Sequence, residues 1–337
     1  KKNFSIKHVI QAFEKISKLK VLIIGELILD QYIFSETIGK SAKDTMLVVK
    51  ETESKMYVGG GGSITKNISN FIIKKKNISL LSYLGEKKEY LNEVNKFLGK
   101  EIKKFFIYKS NSPTIVKKRF IDKINNSKLL GVYSFSESEI SSKEENKVIN
   151  YLDKNLKNFD LVVVNDFSHG LITQKIAKKI SKNSNFLSVN SQVNSSNLGF
   201  HSIKNFNKLN CLSINERELR HELRDRQSDI KKLIKILAKN KNFKNILVTR
   251  GSEGVLLYSK VKNKFYTCEA FANNVVDKIG AGDTIHALFS LCLRCNVDLD
   301  MALLISSLAA AENIRSYANE NLIYPNKILK VISHMLK

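Results

Sequence analysis

Short apolar segments that alternate with helical segments constrain the fold of this chain most. Residues 20–25, 161–164 and 245–249 are rich in Val, Ile and Leu, which is typical of strands buried on both faces of a parallel sheet. Segments with helical spacing of apolar residues lie between them, for example residues 141–156 and 227–240. This alternation predicts βαβ units and therefore an α/β fold of three layers, with helices on both faces of a mostly parallel sheet. Such sheets bind ligands at the carboxyl ends of their strands.

One part of the chain departs from this alternation. Within residues 35–58, short strand-like runs are separated by polar turns, and this pattern predicts a small β insertion. Two further strand-like runs within residues 114–134 resemble a hairpin, which is a candidate second part of the β insertion. With 337 residues, of which 43% are hydrophobic, the chain can bury the core of one large domain. We therefore predict a single domain over residues 1–337 that carries this insertion.

Neither a membrane span nor an export signal is expected. No apolar run reaches the ~18 residues of a membrane span. Residues 1–5 lead into an amphipathic segment rather than a secretory signal, so the cytoplasm is the predicted location. Cys292 and Cys295 form a C-x-x-C in an apolar helical run, and the second pair that a zinc site needs is not nearby in sequence. We interpret them as two buried thiols on one helix face.

The formal net charge of +24 raises the question of a nucleic-acid partner. The basic residues are mostly lysines scattered along the chain, however, and no nucleic-acid-binding motif accompanies them. We predict no nucleic-acid role, and a nucleic-acid binder stays an alternative. The charge would favour the capture of anionic substrates such as nucleotides and sugar phosphates.

The chemically most informative segment is residues 277–284, Asp-Lys-Ile-Gly-Ala-Gly-Asp-Thr. Its glycines let a ligand approach the backbone closely, and the apolar run that follows predicts a helix. Free N–H groups in the first turn of a helix favour a negatively charged ligand, so Gly280, Ala281 and Gly282 are predicted to bind an anion. Asp283 beside them is a candidate general base, and together they suit the transfer of a phosphoryl group to a hydroxyl. A simple turn with Asp283 as its N-cap is the structural alternative.

Six further motifs accompany this segment in order, within residues 25–30, 59–67, 114–119, 165–170, 215–218 and 249–254. Two other glycine-rich nucleotide sites are excluded, because Ile64 and Phe34 stand where the dinucleotide motif and the Walker loop need glycine. The ordered set resembles the ribokinase-like (PfkB-type) carbohydrate kinases from about residue 20 to residue 311. Within that family the chain looks most like the kinases of D-glycero-β-D-manno-heptose 7-phosphate.

The resemblance implies roles for particular residues. The implied catalytic group is Asp283, with the anion-binding residues Gly280, Ala281 and Gly282. The implied substrate-binding residues are Asp30, Gly60, Gly61, Asn67, Arg119 and Asp166. The implied nucleotide-binding residues are Asn215, Glu218, Thr249, Gly251 and Gly254. Glu218 would support Mg²⁺ through water, because this ion tends to keep several waters.

Structural alternatives accompany three of these roles. Asp30 could be a turn residue, and Arg119 could belong to an exposed basic edge strand. Asn215 and Glu218 have the spacing of a helix capping box, which is compatible with the nucleotide role.

Two positions depart from the pattern of the family. The related heptose kinases usually carry Asn where this chain has Ser63, and the family favours Lys where it has His169. We assign neither residue a role, and both departures leave the identity of the sugar open.

The resemblance implies an ATP- and Mg²⁺-dependent kinase that phosphorylates a hydroxyl of a sugar or sugar phosphate, with a heptose 7-phosphate as the first candidate. A kinase of a nucleoside or hexose and a non-catalytic sugar or nucleotide sensor are the alternatives, because a fold does not fix a substrate. The β insertion would act as a lid that excludes water from the reaction. In the family such lids often meet a second copy, so a homodimer is expected.

Overall fold

The computed structural model describes residues 4–192, 202–272, 275–317 and 320–336. Its strands are β1 (Val21–Gly25), β2 (Leu27–Lys40), β3 (Leu47–Gly60), β4 (Ile78–Gly85), β5 (Lys103–Lys109), β6 (Ile115–Asp122), β7 (Lys128–Ser134), β8 (Leu161–Asp166), β9 (Leu187–Ser191), β10 (Lys208–Leu209), β11 (Cys211–Asn215), β12 (Asn242–Phe243), β13 (Asn245–Thr249), β14 (Val255–Ser259) and β15 (Lys264–Cys268).

Helices connect most of these strands. They are α1 (Ile6–Ile16), α2 (Gly61–Ser69), α3 (Leu91–Leu98), α4 (Ser142–Asn155), α5 (Gln174–Asn183), α6 (Glu216–Leu223), α7 (Ile230–Asn240), α8 (Ala281–Arg294), α9 (Leu299–Asn313) and α10 (Pro325–Met335). No helix among the described residues is long and apolar enough to cross a membrane.

A nine-stranded sheet forms the centre of the molecule, in the order β15-β14-β13-β11-β9-β8-β1-β4-β5. The pairings from β13 to β5 are all parallel, whereas β14 and β15 are antiparallel at one edge. Side chains alternate across it, so Val21 and Ile23 of β1 join one core cluster while Leu22 and Ile24 join the other. The first cluster includes α1, α2, α8, α9 and α10, and the second includes α4, α5 and α7. The predicted three-layer α/β fold with a mostly parallel sheet is therefore confirmed.

A separate four-stranded sheet, which we call the small sheet, has the order β3-β2-β6-β7. It contains both segments that the sequence marked as strand-like, residues 35–58 and 114–134. The expected short strands are wrong, because β2 and β3 each run for 14 residues. Asp30, expected at the end of the first strand, lies inside β2, and Arg119 lies in β6 between β2 and β7 rather than on an edge. The small sheet thus carries two predicted substrate residues towards the carboxyl ends of the main strands.

The two cysteines differ in part from expectation. Cys292 is buried in α8, whereas Cys295 follows the helix and is half-buried. Only the first of the two thiols is therefore enclosed as expected.

Candidate active site

Helix α8 begins at a turn that presents backbone N–H groups. Gly280 precedes the helix with φ 86° and ψ −7°, a left-handed conformation that favours glycine. The Thr284 N–H donates to the Gly280 carbonyl at 2.9 Å, so the N–H groups of the residues between them point out of the helix end. These groups and the helix dipole favour an anion. We call residues 280–283 the anion-binding turn.

Two amide side chains hold the Asp283 carboxylate. Its Oδ1 accepts from Asn165 Nδ2 at 3.2 Å and from Gln192 Nε2 at 2.6 Å. Asp283 is 7% exposed, and burial raises the pKa of its carboxyl to about 7, although both amide hydrogen bonds oppose the rise. A carboxyl that titrates near neutral pH is suited to accept the proton of a hydroxyl.

Asp283 lines a cleft of about 360 Å³. One wall comes from the small sheet, and the other comes from the ends of β9, β11 and β13 and the start of α8. Parallel sheets bind ligands at this edge. Of the residues predicted from the sequence, the cleft brings together Asp30, Gly60, Arg119, Asn215, Glu218, Thr249, Gly280, Gly282 and Asp283.

The small-sheet wall of the cleft carries the buried cation Arg119, the half-buried cation Lys117 and the buried carboxylate Asp30. Arg119 Nη1 donates to Asp30 Oδ1, and its guanidinium lies 5.5 Å and 5.7 Å from the ring centroids of Tyr32 and Tyr133. Burial lowers the pKa of the Lys117 ammonium, although Asp30 opposes the fall. This wall can bind both hydroxyls and a phosphate.

The glycines at the end of β3 leave space for this wall. Gly60 has φ 58°, and a Cβ on Gly59 would overlap the Asp30 carboxylate. The pair that lines the cleft is therefore Gly59 and Gly60, whereas the sequence prediction named Gly60 and Gly61. Gly61 instead begins α2, and its N–H donates to the Glu26 carbonyl at 2.9 Å.

Two other predicted substrate residues, Asn67 and Asp166, lie behind the cleft lining. Asn67 Nδ2 donates to Thr284 Oγ1 at 3.1 Å and so ties α2 to the first turn of α8. Asp166 is 1% exposed and accepts from the Ser168 N–H at 2.8 Å. Burial raises the pKa of its carboxyl well above the usual value. Both side chains lie next to residues of the cleft lining, and their predicted contacts with the sugar stay predictions.

A second, smaller pocket of about 160 Å³ adjoins the cleft and shares Thr249 and Gly282 with it. Its lining is mostly apolar and includes Gly251, Gly254, Phe271, Ala281 and Ile285. We call it the side pocket. An apolar pocket beside an anion-binding turn suits a nucleotide whose base lies in the pocket and whose phosphates point towards Gly282.

Asn215 and Glu218 begin α6 and line the cleft at the same time. The Glu218 N–H donates to Asn215 Oδ1 at 2.8 Å, and the Asn215 N–H donates to Glu218 Oε2 at 2.7 Å. The capping box is therefore present together with the cleft position. Within the described ranges, no group of three or more His, Cys, Asp or Glu side chains could hold a metal ion. A single carboxylate is nevertheless compatible with Mg²⁺, which takes most of its ligands from water and phosphates.

The two departures from the family pattern are both buried outside the cleft. Ser63 is 1% exposed in the first turn of α2. Burial, reinforced by Lys117 and Lys109, lowers the pKa of His169 to about 3, so its ring is neutral at physiological pH. Lys109 Nζ donates to the backbone carbonyls of Ser138 at 2.5 Å and His169 at 2.9 Å. The positive charge near this turn therefore comes from Lys117 and Lys109 and not from His169.

Sequence reasoning missed three side chains of the site. Lys117 stands two residues before Arg119 in β6, and the period of a strand places both on one face, so this signal was available. Asn165 belonged to a quoted motif without a role, and Gln192 follows β9 directly. The only sequence signal that could have identified Gln192 as a site residue is its position directly after a parallel strand.

A buried carboxylate with a raised pKa, an anion-binding helix start and an adjoining apolar pocket define a phosphotransferase whose acceptor is an alcohol. The chain matches the model of the pfkB family carbohydrate kinases over residues 18–324. It belongs to that family and is a carbohydrate kinase.

The chain is also similar to proteins named HldE. The chain is 24% identical over 296 residues to the Bifunctional protein HldE of a Nitratiruptor species, covering 87% of this chain and 61% of that protein. It is 26% identical over 297 residues to the protein of the same name from Campylobacter jejuni subsp. doylei, covering 87% and 60%. The chain thus spans about three fifths of the length of these relatives.

Solved structures show the same fold. Arabidopsis thaliana ribokinase complexed with ribose and ATP has a TM-score of 0.69 at 17% identity, over 94% of this chain and 99% of that chain. Escherichia coli phosphofructokinase-2 in complex with potassium has a TM-score of 0.75 at 12% identity, over 95% and 100%. The ribokinase-like fold predicted from the sequence is confirmed.

Proposed function

We propose that this protein transfers the γ-phosphoryl group of ATP to a hydroxyl of a sugar phosphate, with a heptose 7-phosphate as the acceptor. The observation that carries the proposal is the position of Asp283. It lies in the first turn of α8, lines the cleft and directly follows Gly282, which the cleft and the side pocket share. This position supports Asp283 as the base for an acceptor in the cleft that meets the terminal phosphate of a nucleotide.

In this mechanism Asp283 accepts the proton as the acceptor hydroxyl attacks the γ-phosphorus. The bond from this phosphorus to the β–γ bridging oxygen breaks, and ADP leaves. Asn165 and Gln192 fix the carboxylate through Oδ1. The N–H groups of the anion-binding turn stabilise the charge on the transferred phosphoryl oxygens. Removing one such donor commonly costs about 10²–10³ in rate.

The nucleotide base would occupy the side pocket, and its phosphates would extend past Gly282. Glu218 would hold Mg²⁺ through water, and the ion would supply positive charge that neutralises the phosphates. The capping box holds Glu218 at the cleft. The role of the small sheet is to cover the acceptor and to exclude water, which would otherwise compete for the phosphoryl group.

Lys117 and Arg119 support an acceptor that is already phosphorylated. Both cations line the cleft from one face of β6, and Arg119 is only 8% exposed. A phosphate on the acceptor would compensate the half-buried charge of Lys117 and give Arg119 a second anionic partner beside Asp30. The heptose assignment rests on the motif resemblance and on the relatives named HldE.

A panel of acceptors with saturating ATP tests the proposal. The panel contains heptose 7-phosphate, unphosphorylated heptose, hexoses, hexose phosphates and nucleosides, and ADP release is measured. We expect kcat/KM to favour heptose 7-phosphate over unphosphorylated heptose by at least roughly 10²-fold. Equal turnover of an unphosphorylated sugar or a nucleoside would contradict the acceptor assignment.

A pair of lysine variants tests whether Lys117 in the cleft recognises the phosphate of the acceptor. Lys117→Met should reduce the preference for the phosphorylated acceptor, because it removes a cation from the lining. Lys118→Met is the matched control, since the neighbouring residue points to the opposite face of β6. Equal effects of both variants would show that Lys117 does not recognise the acceptor.

A further inference from the structure

Asp277 is a buried carboxylate near the anion-binding turn that does not line the cleft. Its side chain is 0% exposed. It accepts three hydrogen bonds, from Tyr32 Oη at 2.5 Å, from Lys128 Nζ at 2.9 Å and from the Ile279 N–H at 3.2 Å. Burial alone would raise the pKa of Asp277, but the bonds from Lys128 and Tyr32 hold it below the usual value. The carboxylate is therefore ionised and depends on these donors.

The three donors come from two different parts of the molecule. Tyr32 lies in β2 and Lys128 begins β7, so both belong to the small sheet. Ile279 immediately precedes Gly280 and the anion-binding turn. In the described part of the chain, Lys128–Asp277 is the ion pair that joins the small sheet to the main body. Asp277 thus connects the small sheet to the segment that leads into the turn.

Further contacts hold the residues on both sides of this ion pair in place. The Asp277 N–H donates to the Ile314 carbonyl at 3.2 Å, at the end of α9. The Tyr32 ring packs against Tyr57 and Tyr317, with centroids 5.7 Å and 5.5 Å away. The main chain before the turn is therefore fixed to the main body, and its side chain is fixed to the small sheet.

We propose that Asp277, Lys128 and Tyr32 are positioning residues for phosphoryl transfer: they tie the small sheet to the anion-binding turn, so that the turn holds its phosphate-binding geometry only while the sheet is docked. This inference rests on the role proposed above for the turn. It gives the small sheet a second task besides covering the acceptor.

The physical reason is the loss of compensation at a buried charge. Without the Lys128 ammonium, Asp277 loses its only ion-pair partner in the described residues, and an unpaired buried carboxylate moves towards water or takes up a proton. Either change weakens the bond from the Ile279 N–H and loosens the turn that follows. Misplacement of catalytic groups by about 1 Å can cost ~10²-fold in rate.

Three variants and one control test the inference. Lys128→Met removes the charge and keeps the stem, Tyr32→Phe removes only the hydroxyl, and Lys128→Arg keeps the charge. Lys123→Met is the control, because Lys123 is exposed in the turn between β6 and β7 of the same sheet. The readouts are kcat, KM for ATP, melting temperature and hydrogen exchange of the backbone over residues 279–283.

We expect Lys128→Met to lower kcat by about 10²-fold with a smaller change in KM for ATP, because the turn supplies only part of the side-pocket lining. Exchange over residues 279–283 should accelerate selectively. Tyr32→Phe should act in the same direction more weakly, Lys128→Arg should restore most of kcat, and Lys123→Met should match the parent.

Two results would overturn the inference. One is unchanged kcat and unchanged exchange over residues 279–283 in Lys128→Met. The other is faster exchange throughout the protein with a lower melting temperature, which would show a purely structural role. Hydrogen exchange needs no acceptor, so a wrong assignment of the sugar would leave this test intact.

Discussion

At the scale of single residues, the chemistry depends on how Asp283 is kept from water. The first turn of a helix stabilises a carboxylate, and two amides donate to this one. Burial nevertheless dominates and raises the pKa of Asp283 to about 7. The residue is thereby a stronger base than an exposed aspartate and still ionises at physiological pH.

Replacing Asp283 by Asn should abolish acceptor-dependent ADP release and leave nucleotide binding in place. The amide cannot take a proton, while the anion-binding turn and the side pocket keep their backbone. Steady-state kinetics and calorimetric titration with a non-hydrolysable ATP analogue would measure the two properties. Glu14→Gln, an exposed change on α1, is the control. Near-normal turnover of Asp283→Asn would remove Asp283 from the role of base.

The pH dependence of kcat should show an acid limb near pH 7. Only the ionised form of Asp283 accepts a proton, and its folded-state pKa is raised to about 7, so activity should rise as pH increases through that value. Below the limb, kcat should fall about tenfold per pH unit. An acid limb near pH 4 would mean that Asp283 titrates as an exposed aspartate and that its burial has no catalytic effect.

The sequence predicted the base and the turn because their signals are local. Glycines that permit a left-handed turn and an apolar run that starts a helix both lie within residues 277–291. The partners of the base are not local: Asn165 and Gln192 are 118 and 91 positions away from Asp283. No spacing rule connects them, and the raised pKa follows from the burial that they help to create.

At the scale of elements, the turn after β8 is organised by the carboxyl group of Glu26, which lies between β1 and β2. Glu26 is fully buried and accepts from the backbone N–H groups of Phe167, His169 and Leu171 at 3.0, 3.2 and 3.3 Å. These N–H groups would otherwise be unpaired inside the protein. Glu26 therefore fixes the segment that carries Phe167 into the cleft lining.

Glu26→Ala should destabilise the protein by at least about 2 kcal/mol, because buried donors that lose their acceptor cost roughly 1–3 kcal/mol each. Glu26→Gln should cost less, since one carbonyl oxygen can still accept. Urea denaturation followed by circular dichroism would measure both. Glu14→Ala on the exposed face of α1 is the control, and an equal free energy of unfolding for Glu26→Ala and this control would contradict the anchoring role.

The small sheet shows where element prediction fails. The pairing of β2 with β3 shifts register between Phe34 and Ser35 and again between Thr37 and Gly39. Each irregularity interrupts the alternation of side chains that marks a continuous strand. The sequence therefore looked like several short strands, although the structure has two long ones. Main-sheet strands such as β8 lack this problem, because their apolar runs, here residues 161–164, need no alternation.

At the scale of the whole molecule, the main sheet was predictable because few connections between strands and helices are allowed. The docking of the small sheet was not predictable. Alternating strands and helices leave few arrangements for a parallel sheet. The small sheet instead meets the main body through contacts such as Lys128 with Asp277, which are 149 positions apart. Such a contact follows from the complete fold and not from any segment.

The outer part of the small sheet exposes apolar side chains. Leu130 and Val132, on one face of β7, are 59% and 45% exposed, and Ile38 and Leu47 are 68% and 53% exposed. Exposed apolar side chains on an edge strand are typical of an interaction surface. We propose that a second copy of this chain covers them, which is the homodimer expected from the sequence.

The double variant Leu130→Glu and Val132→Glu should therefore convert the protein from a dimer to a monomer. Two carboxylates on one face of β7 would meet their symmetry mates in an isologous contact, and like charges buried together are strongly unfavourable. Sedimentation velocity over a range of protein concentrations would measure the change. Val261→Glu is the matched control, because Val261 is 79% exposed in the turn between β14 and β15. A parent protein that sediments as a monomer, or a double variant that stays dimeric, would exclude this surface as the dimer interface.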